Sequence, residues 1–230
     1  MNLPERLLPL MRLRKVLIGR DFYLRRDIKL PVKTLGHTHA DWTFQRDLLD
    51  AESIVYSCGV GKDISFDLGL IKEFNLKVYA FDPTPDSAAW VNGQDLPDGF
   101  QFVPIGVADY NGRGRFFPPP AGGSYSLLDQ VYETPPIDVE VKRLQTIMSD
   151  LGHDRIDLLK MDIEGAEFSV LDDILDSDVP ITQLLVEFHH RFEGIGIEKS
   201  KQAIRKLKNR GYKVFHVSRS GEEISFTRSY

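Results

Sequence analysis

The sequence IVYSCGVGKDISFDLGLIKEFNLKVYAFD, at residues 54–82, decides the fold. It predicts a strand at residues 54–57, a glycine turn, a helix, and a second strand at residues 77–81. Within the helix, apolar residues recur with a period near 3.6; they are Ile64, Leu68 and Ile71, and Phe66, Leu70 and Phe74. Two strands joined through a helix run parallel, with a right-handed crossover. The stretch therefore predicts a parallel α/β sheet.

The glycine turn predicts where a ligand binds. Gly59 and Gly61 allow a ligand to approach the backbone, and the following helix start offers free N–H groups. Asp82, at the tip of the second strand, follows Gly61 by about 20 residues, the separation at which a carboxylate accepts hydrogen bonds from a ribose diol. The unit therefore predicts a nucleoside cofactor site, with a purely structural turn as the alternative.

Residue 64 distinguishes between nucleoside cofactors. A dinucleotide fingerprint has a third glycine where this chain has Ile64, and that glycine lets the helix pack close to a pyrophosphate. Its absence favours S-adenosylmethionine, which has no pyrophosphate, over NAD.

Length and composition limit the class of protein. The 230 residues suit one α/β domain, and the net charge of −5 argues against a general nucleic-acid partner. The single cysteine, Cys58, excludes an internal disulfide and fits a reducing compartment. No apolar run approaches the length of a membrane span, and the N-terminus has no secretory cleavage pattern. We expect a soluble, cytoplasmic protein without a membrane span.

The first 50 residues differ from the rest. Residues 1–30 are basic, with eight Lys or Arg, and predict a peripheral helix packed on its own domain or on a partner subunit; an anionic membrane surface is the less favoured alternative. Residues 31–52 predict a loop and a short helix, in which His37, His39 and Trp42 either cover a cofactor or pack ordinarily. We divide the chain into an N-terminal helical and loop extension at residues 1–50 and a cofactor-binding domain at residues 51–230.

The second half continues the alternation of strands and helices. A short strand at residues 101–105 brings Val107 to the edge where Gly59 lies, in reach of an adenine ring. Residues 109–136 are rich in proline and glycine and predict a substrate loop. Strands follow at residues 156–161 and 181–188, with a helix beginning near Gly165, a second helix at residues 199–210, and a terminal hairpin.

Two blocks resemble the FkbM-type S-adenosylmethionine-dependent methyltransferases. They are SIVYSCGVGKDISFDLGL with the following Asp82, and RIDLLKMDIEGAEFSVL. The resemblance implies a Rossmann-like, seven-stranded, mostly parallel sheet with an antiparallel last strand and helices on both faces. It also implies methyl transfer, typically to a hydroxyl oxygen of a small-molecule, sugar or lipid-linked acceptor.

The chain departs from this pattern at Ser57, where many methyltransferases have an acidic residue two positions before the first glycine. The methionine amine then needs another anion, and Asp63 and Asp162 are the candidates.

Four side chains at strand tips are candidates for the chemistry: Asp82, Asp162, Glu187 and His189. A hydroxyl is a poor nucleophile at neutral pH, so a general base or a metal is needed. His189 or Asp162 can serve as the base; alternatively, Asp162 and Glu187, with His189 nearby, can hold Mg²⁺ or Mn²⁺. We favour the metal-free base. Glu164 and Glu167 are interpreted as carboxylates stabilised by a helix N-terminus, without a catalytic task.

Two rival functions remain open. One is an NAD-linked oxidoreductase, against which Ile64 and the terminal hairpin argue. The other is a non-catalytic cofactor-binding or scaffold protein with the same fold. A homo-oligomer is compatible with the sequence.

Overall fold

The structure is a computed structural model that describes residues 8–38, 40–117, 126, 135–192 and 194–229. In chain order the elements are α1 (Leu8–Leu17), β1 (Lys33–Leu35), β2 (Trp42–Phe44), a 3₁₀ turn (Arg46–Leu48), β3 (Ile54–Cys58), α2 (Ser65–Phe74), β4 (Lys77–Phe81), α3 (Pro85–Asn92), β5 (Phe100–Val103), β6 (Gly106–Val107), β7 (Gly112–Phe116), β8 (Ile137–Lys142), α4 (Leu144–Leu151), β9 (Ile156–Met161), α5 (Glu167–Asp176), β10 (Ile181–Glu187), α6 (Ile197–Asn209), β11 (Lys213–Val217) and β12 (Glu223–Thr227).

The central sheet has seven strands in the order β11-β12-β10-β9-β3-β4-β5. The run from β10 to β5 is parallel throughout, whereas β12 pairs antiparallel with both β10 and β11. The predicted mixed α/β fold with a mostly parallel seven-stranded sheet is confirmed. The last strand does not close the sheet: it lies inside it, and β11 forms the edge.

Apolar residues on both faces of the sheet hold the helices. Consecutive residues of a strand point to opposite faces, and in β9 Leu158 and Leu159 belong to two different core clusters. The larger cluster joins the sheet to α4, α5 and α6, and the other joins it to α2 and β2. The strands next to β9 therefore have both faces buried, as a parallel sheet requires.

Several strands lie where the sequence predicted loops. Residues 31–52 contain β1 and β2, an antiparallel pair, where a loop was predicted, and the predicted short helix before Ile54 is the 3₁₀ turn at Arg46–Leu48. Part of the predicted substrate loop is β7, which pairs with β8 in a second sheet completed by β6. Strands β1, β2 and β6 are two to three residues long, too short for alternation to identify them. Much of the predicted loop, at residues 118–125 and 127–134, lies outside the described residues, as does His39.

The N-terminal segment packs against the end of the chain. The Arg12 guanidinium donates to the carbonyl oxygens of Ser218 and Phe22. The backbone N–H of Asp27 donates to the carbonyl of Val214 on the edge strand β11. Among the described residues no helix combines the length and apolar character needed to cross a bilayer.

Candidate functional site

The glycine loop lies between three strands. Gly59 donates its N–H to the carbonyl of Phe81 and has a φ of +85°. A Cβ at this position would lie 1.7 Å from the carbonyl oxygen of Asp162, so only glycine fits. Gly61 also has a positive φ, of +54°, but a Cβ there would meet nothing within 4 Å. The first glycine therefore closes the loop onto the sheet, and the second faces open space.

Asp82 holds the glycine loop in place. Its Oδ2 accepts hydrogen bonds from the backbone N–H groups of Val60 and Gly61, each at 3.0 Å. Its Oδ1 accepts two more, from the N–H and the hydroxyl of Thr84. A carboxylate has about four acceptor positions, and Asp82 is only 6% exposed. In this structure the Asp82 carboxylate holds the backbone of the glycine loop. Its contact with a ribose remains a prediction.

Three buried polar side chains lie beneath the loop. Lys160, on β9, donates its Nζ proton to the carbonyl of Gly59 and lies 5.4 Å from the centre of the Trp42 ring. Asp67, on α2, is buried, and burial raises the pKa of its carboxyl although the Lys160 charge opposes the change. Ser57 is fully buried beside them. Lys160 and Asp67 both lie in the two blocks that resemble the family, but the sequence predicted no role for either, because nothing local indicates that these side chains meet beneath the loop.

Asp162, Glu164, Glu187 and His189 meet at the carboxyl ends of β9 and β10; we call them the acid–histidine cluster. The Nε2 atom of His189 lies 3.7 Å from Asp162 Oδ1, 3.4 Å from Glu164 Oε2 and 4.0 Å from Glu187 Oε1. Three of these four residues were predicted to act together. Glu164 was not, since its position before a helix suggested a dipole role only. Its φ of +51°, uncommon outside glycine, sets it apart from an ordinary helix start.

Glu167 supports His189 from the other side. It is fully buried, and its Oε1 accepts a hydrogen bond from the backbone N–H of His189 at 2.8 Å. Its Oε2 accepts from the N–H of Gly165 and lies 3.5 Å from His189 Nδ1. Burial alone would lower the pKa of His189, but Glu167, Glu164 and Asp162 outweigh it and raise that pKa to about 10. Glu167 therefore lies in the first turn of α5, as predicted, and in addition contacts the backbone and the ring of His189.

Glu187 is held as a neutral acid. Burial, followed by the neighbouring carboxylates of Asp162 and Glu223, raises its pKa to about 9, although His189 opposes the shift. A carboxyl with this pKa keeps its proton at neutral pH.

The remaining predicted residues lie outside the acid–histidine cluster. Partial burial would raise the pKa of Asp63, but hydrogen bonds from Ser65 and the nearby His37 hold it below its usual value. Val107 is buried in the same core cluster as Cys58 and Phe81. His190 points away from the site, fully buried 3.6 Å from Asp21, and burial lowers its pKa to about 4.

The residues present fit a nucleoside cofactor with a methionine moiety. Open space borders Gly61 at the carboxyl edge of the sheet, where ligands bind in such folds. Asp162 Oδ1 is buried without a hydrogen-bond partner among the described residues, which leaves an acceptor for a ligand or an ion.

The strand order and the glycine loop define a Rossmann-like methyltransferase fold. The FkbM methyltransferase domain matches residues 48–214, which is most of the chain, and the chain belongs to this family. The resemblance stated from the two sequence blocks is confirmed.

Several known proteins are similar to this chain over part of their length. A probable methyltransferase-like protein 24 from Homo sapiens is 25% identical over 78% of this chain and 48% of its own length. The 2-O-methyltransferase NoeI of Sinorhizobium fredii is 29% identical over 50% of this chain and 53% of its own. The chain spans about half the length of these relatives. The crystal structure of a methyltransferase FkbM from Methylobacillus flagellatus is 15% identical, with a TM-score of 0.49 over 80% of this chain and 46% of that one.

Proposed function

We propose that the protein is an S-adenosylmethionine-dependent methyltransferase that modifies a hydroxyl oxygen of a small-molecule, sugar or lipid-linked acceptor. The observation that carries the proposal is the position of the open Gly61 loop, which follows β3, beside the acid–histidine cluster at the carboxyl ends of β9 and β10, of which β9 is the neighbour of β3. A donor held at the loop and an acceptor held at the cluster would be adjacent, and such alignment contributes about 7–11 kcal/mol to a bimolecular reaction.

The glycine loop and its surroundings would hold the cofactor. Gly59 and Gly61 would bound its nucleoside part, Asp82 would fix the loop, and Val107 would border the adenine. Ser57 cannot neutralise the methionine amine, so Asp63 or Asp162 would do so. When bound, S-adenosylmethionine supplies an electrophilic methyl group on sulfur.

The acid–histidine cluster would activate the acceptor. The cluster would hold the acceptor hydroxyl, and its base would take the hydroxyl proton as the oxygen gains the methyl group that S-adenosylmethionine would supply. His189 and Asp162 were the predicted bases. The raised pKa of His189 means that, without a metal, both of its ring nitrogens carry a proton at neutral pH. This weakens the case for His189 as a free base and leaves Asp162 as the predicted base; the predicted metal alternative, with Asp162 and Glu187, stays a prediction.

A thermal unfolding series with S-adenosylhomocysteine, S-adenosylmethionine and NAD tests the cofactor. Ligand at 100 times its dissociation constant adds about 2.7 kcal/mol, and each kcal/mol moves the midpoint by about 2–4 °C for a domain of this size. We expect a rise of several degrees with S-adenosylhomocysteine and none with NAD. A rise with NAD alone would support the oxidoreductase, and no response to any ligand would support the scaffold.

Two glycine variants separate binding from folding. Gly61→Ala places a methyl group in the open space of the loop, whereas Gly152→Ala does so at the end of α4, also with a positive φ and nothing within 4 Å. Both strain the backbone in the same way. Only Gly61→Ala should weaken S-adenosylhomocysteine binding; equal weakening in both variants would contradict the placement of the cofactor.

The acceptor remains a proposal. NoeI is named as a 2-O-methyltransferase, which supports oxygen as the methylated atom. The described part of the predicted substrate loop reaches the site through Ser126, whose hydroxyl donates to the carbonyl of Glu164. The division at residue 50, the absence of a nucleic-acid partner and a homo-oligomeric state stay predictions.

A further inference from the structure

We propose that Asp162, Glu164 and His189 form a binding site for a divalent metal ion, with Mn²⁺ the best match to the donors. One ligand atom from each of these residues lies within 4.8 Å of the other two. We call them the ligand triad. Its role in activating the acceptor rests on the proposed function; the binding of the ion does not.

The spacing of the triad suits an ion of this size. Adjacent ligands around an ion with bonds of about 2.1 Å are about 3 Å apart. The Nε2 atom of His189 is 3.4 Å from Glu164 Oε2 and 3.7 Å from Asp162 Oδ1. Small inward shifts of the two carboxylates, both partly exposed, would complete the set. The site therefore needs no rearrangement of the sheet.

His189 points independently to a ligand. Its side chain is 7% exposed, and its Nε2 is directed between the carboxylates of Asp162 and Glu164. The Oδ1 atom of Asp162, which faces Nε2, is buried without a hydrogen-bond partner among the described residues. Glu167 Oε2 faces Nδ1 at 3.5 Å, so Nδ1 would keep its proton and a bound ion would displace the proton from Nε2. A carboxylate behind a histidine is the usual support of a metal-bound imidazole. Glu167 is thus a positioning residue.

The donor set narrows the choice of ion. Two carboxylates favour Mg²⁺ and Mn²⁺, whereas an imidazole favours first-row transition metals, so Mn²⁺ satisfies both preferences. Three protein ligands leave about three of six positions for water or for an acceptor oxygen. A hydroxyl bound to the ion would lose its proton more readily. Glu187, the predicted partner of Asp162 in a metal site, lies farther from His189 than Glu164 does.

Electron paramagnetic resonance titration of the whole protein with Mn²⁺, without any cofactor, tests the site. We expect a saturable site whose spin-echo signal shows coupling to one imidazole nitrogen. Asp162→Asn and Glu164→Gln should each weaken binding at least tenfold, and Glu167→Gln about 10–100-fold. Glu140→Gln, an exposed carboxylate on β8, should bind as the unaltered protein does.

The outcomes distinguish this proposal from the methyltransferase proposal. Binding without nitrogen coupling, or binding unchanged in Asp162→Asn and Glu164→Gln, would overturn the triad. The nitrogen coupling is measured on the unaltered protein, so poor folding of a variant does not leave the question open. S-adenosylhomocysteine binding, measured separately in the presence of a chelator, reports on the cofactor site alone.

Discussion

Gly59 and Gly61 lie two residues apart in one loop but have different surroundings. At Gly59 a Cβ would collide with the backbone of Asp162, whereas at Gly61 it would meet only open space. An alanine in the left-handed region costs about 1–2 kcal/mol by itself. We therefore expect Gly61→Ala to lose about that much stability and Gly59→Ala to lose more than about 3 kcal/mol, because strand tips must also move apart.

Urea unfolding of the two variants measures the difference. The slope of the unfolding free energy against urea should be the same in both, since neither change alters the surface exposed on unfolding. Equal losses at the two positions would show that β3 and β9 do not meet at Gly59 as described.

The sequence predicted that Asp162, Glu187 and His189 lie together, because parallel strands bring their carboxyl ends to one edge of the sheet. It did not find the task of Glu164 or Glu167. Both precede or open α5, and local sequence cannot separate a carboxylate that stabilises a helix start from one that contacts a residue more than 20 positions away. The contact between Glu167 and the His189 backbone is a property of the assembled sheet.

At the scale of elements, β2 is attached to the central sheet by buried hydrogen bonds. Gln183 on β10 is fully buried, and its amide both accepts from the N–H of Gln45 at 2.7 Å and donates to the carbonyl of Gln45 at 3.1 Å. The hydroxyl of Ser225 on β12 donates to the carbonyl of Thr43. These bonds hold β2, whose one strand partner in the described part of the chain is β1.

Gln183→Leu should therefore destabilise the protein by about 1–3 kcal/mol, because it leaves the backbone groups of Gln45 without partners. The Gln45 amide should exchange its hydrogen much faster than in the unaltered protein. Thr182→Val, at the neighbouring half-buried position, is the control. It should change neither the free energy of unfolding nor the exchange rate of the Gln45 amide appreciably. Slow exchange at Gln45 in Gln183→Leu would mean that other contacts hold β2.

Elements were predictable where their pattern was long enough. Strands β4 and β9 have the predicted bounds, since each is a largely apolar run that ends at an aspartate. The strands β1, β2 and β7 were not predictable, because β1 and β2 have only three residues each and β7, GRGRF, has one apolar residue in five. The interior position of β12 follows from packing among three strands, which no local pattern contains.

At the scale of the whole molecule, the N-terminal segment and the terminal hairpin share one contact. A Cβ at Gly221 would lie 2.2 Å from Nε of Arg12 on α1. Gly221→Ala should displace the Arg12 side chain and release α1, so that limited proteolysis cuts within α1. Gly211→Ala has the same φ of +90° but only distant contacts with Arg228, and it should leave α1 protected.

Arg12→Ala provides the complementary variant. It removes the guanidinium without straining the turn, and it should expose α1 to proteolysis as Gly221→Ala does. Protection of α1 in both variants would show that other residues attach the segment to the domain.

The four hydrogen bonds to Asp82 have a consequence for the thermodynamics and speed of ligand capture. Ordering one flexible residue costs about 1–2 kcal/mol of backbone entropy. Because Val60 and Gly61 are already hydrogen-bonded to Asp82 in the folded protein, this ordering takes place during folding and not during ligand binding. The affinity of a ligand for the loop is therefore little reduced by the entropy of ordering the loop backbone. Its association rate should follow diffusion and orientation, with no slow step for loop closure.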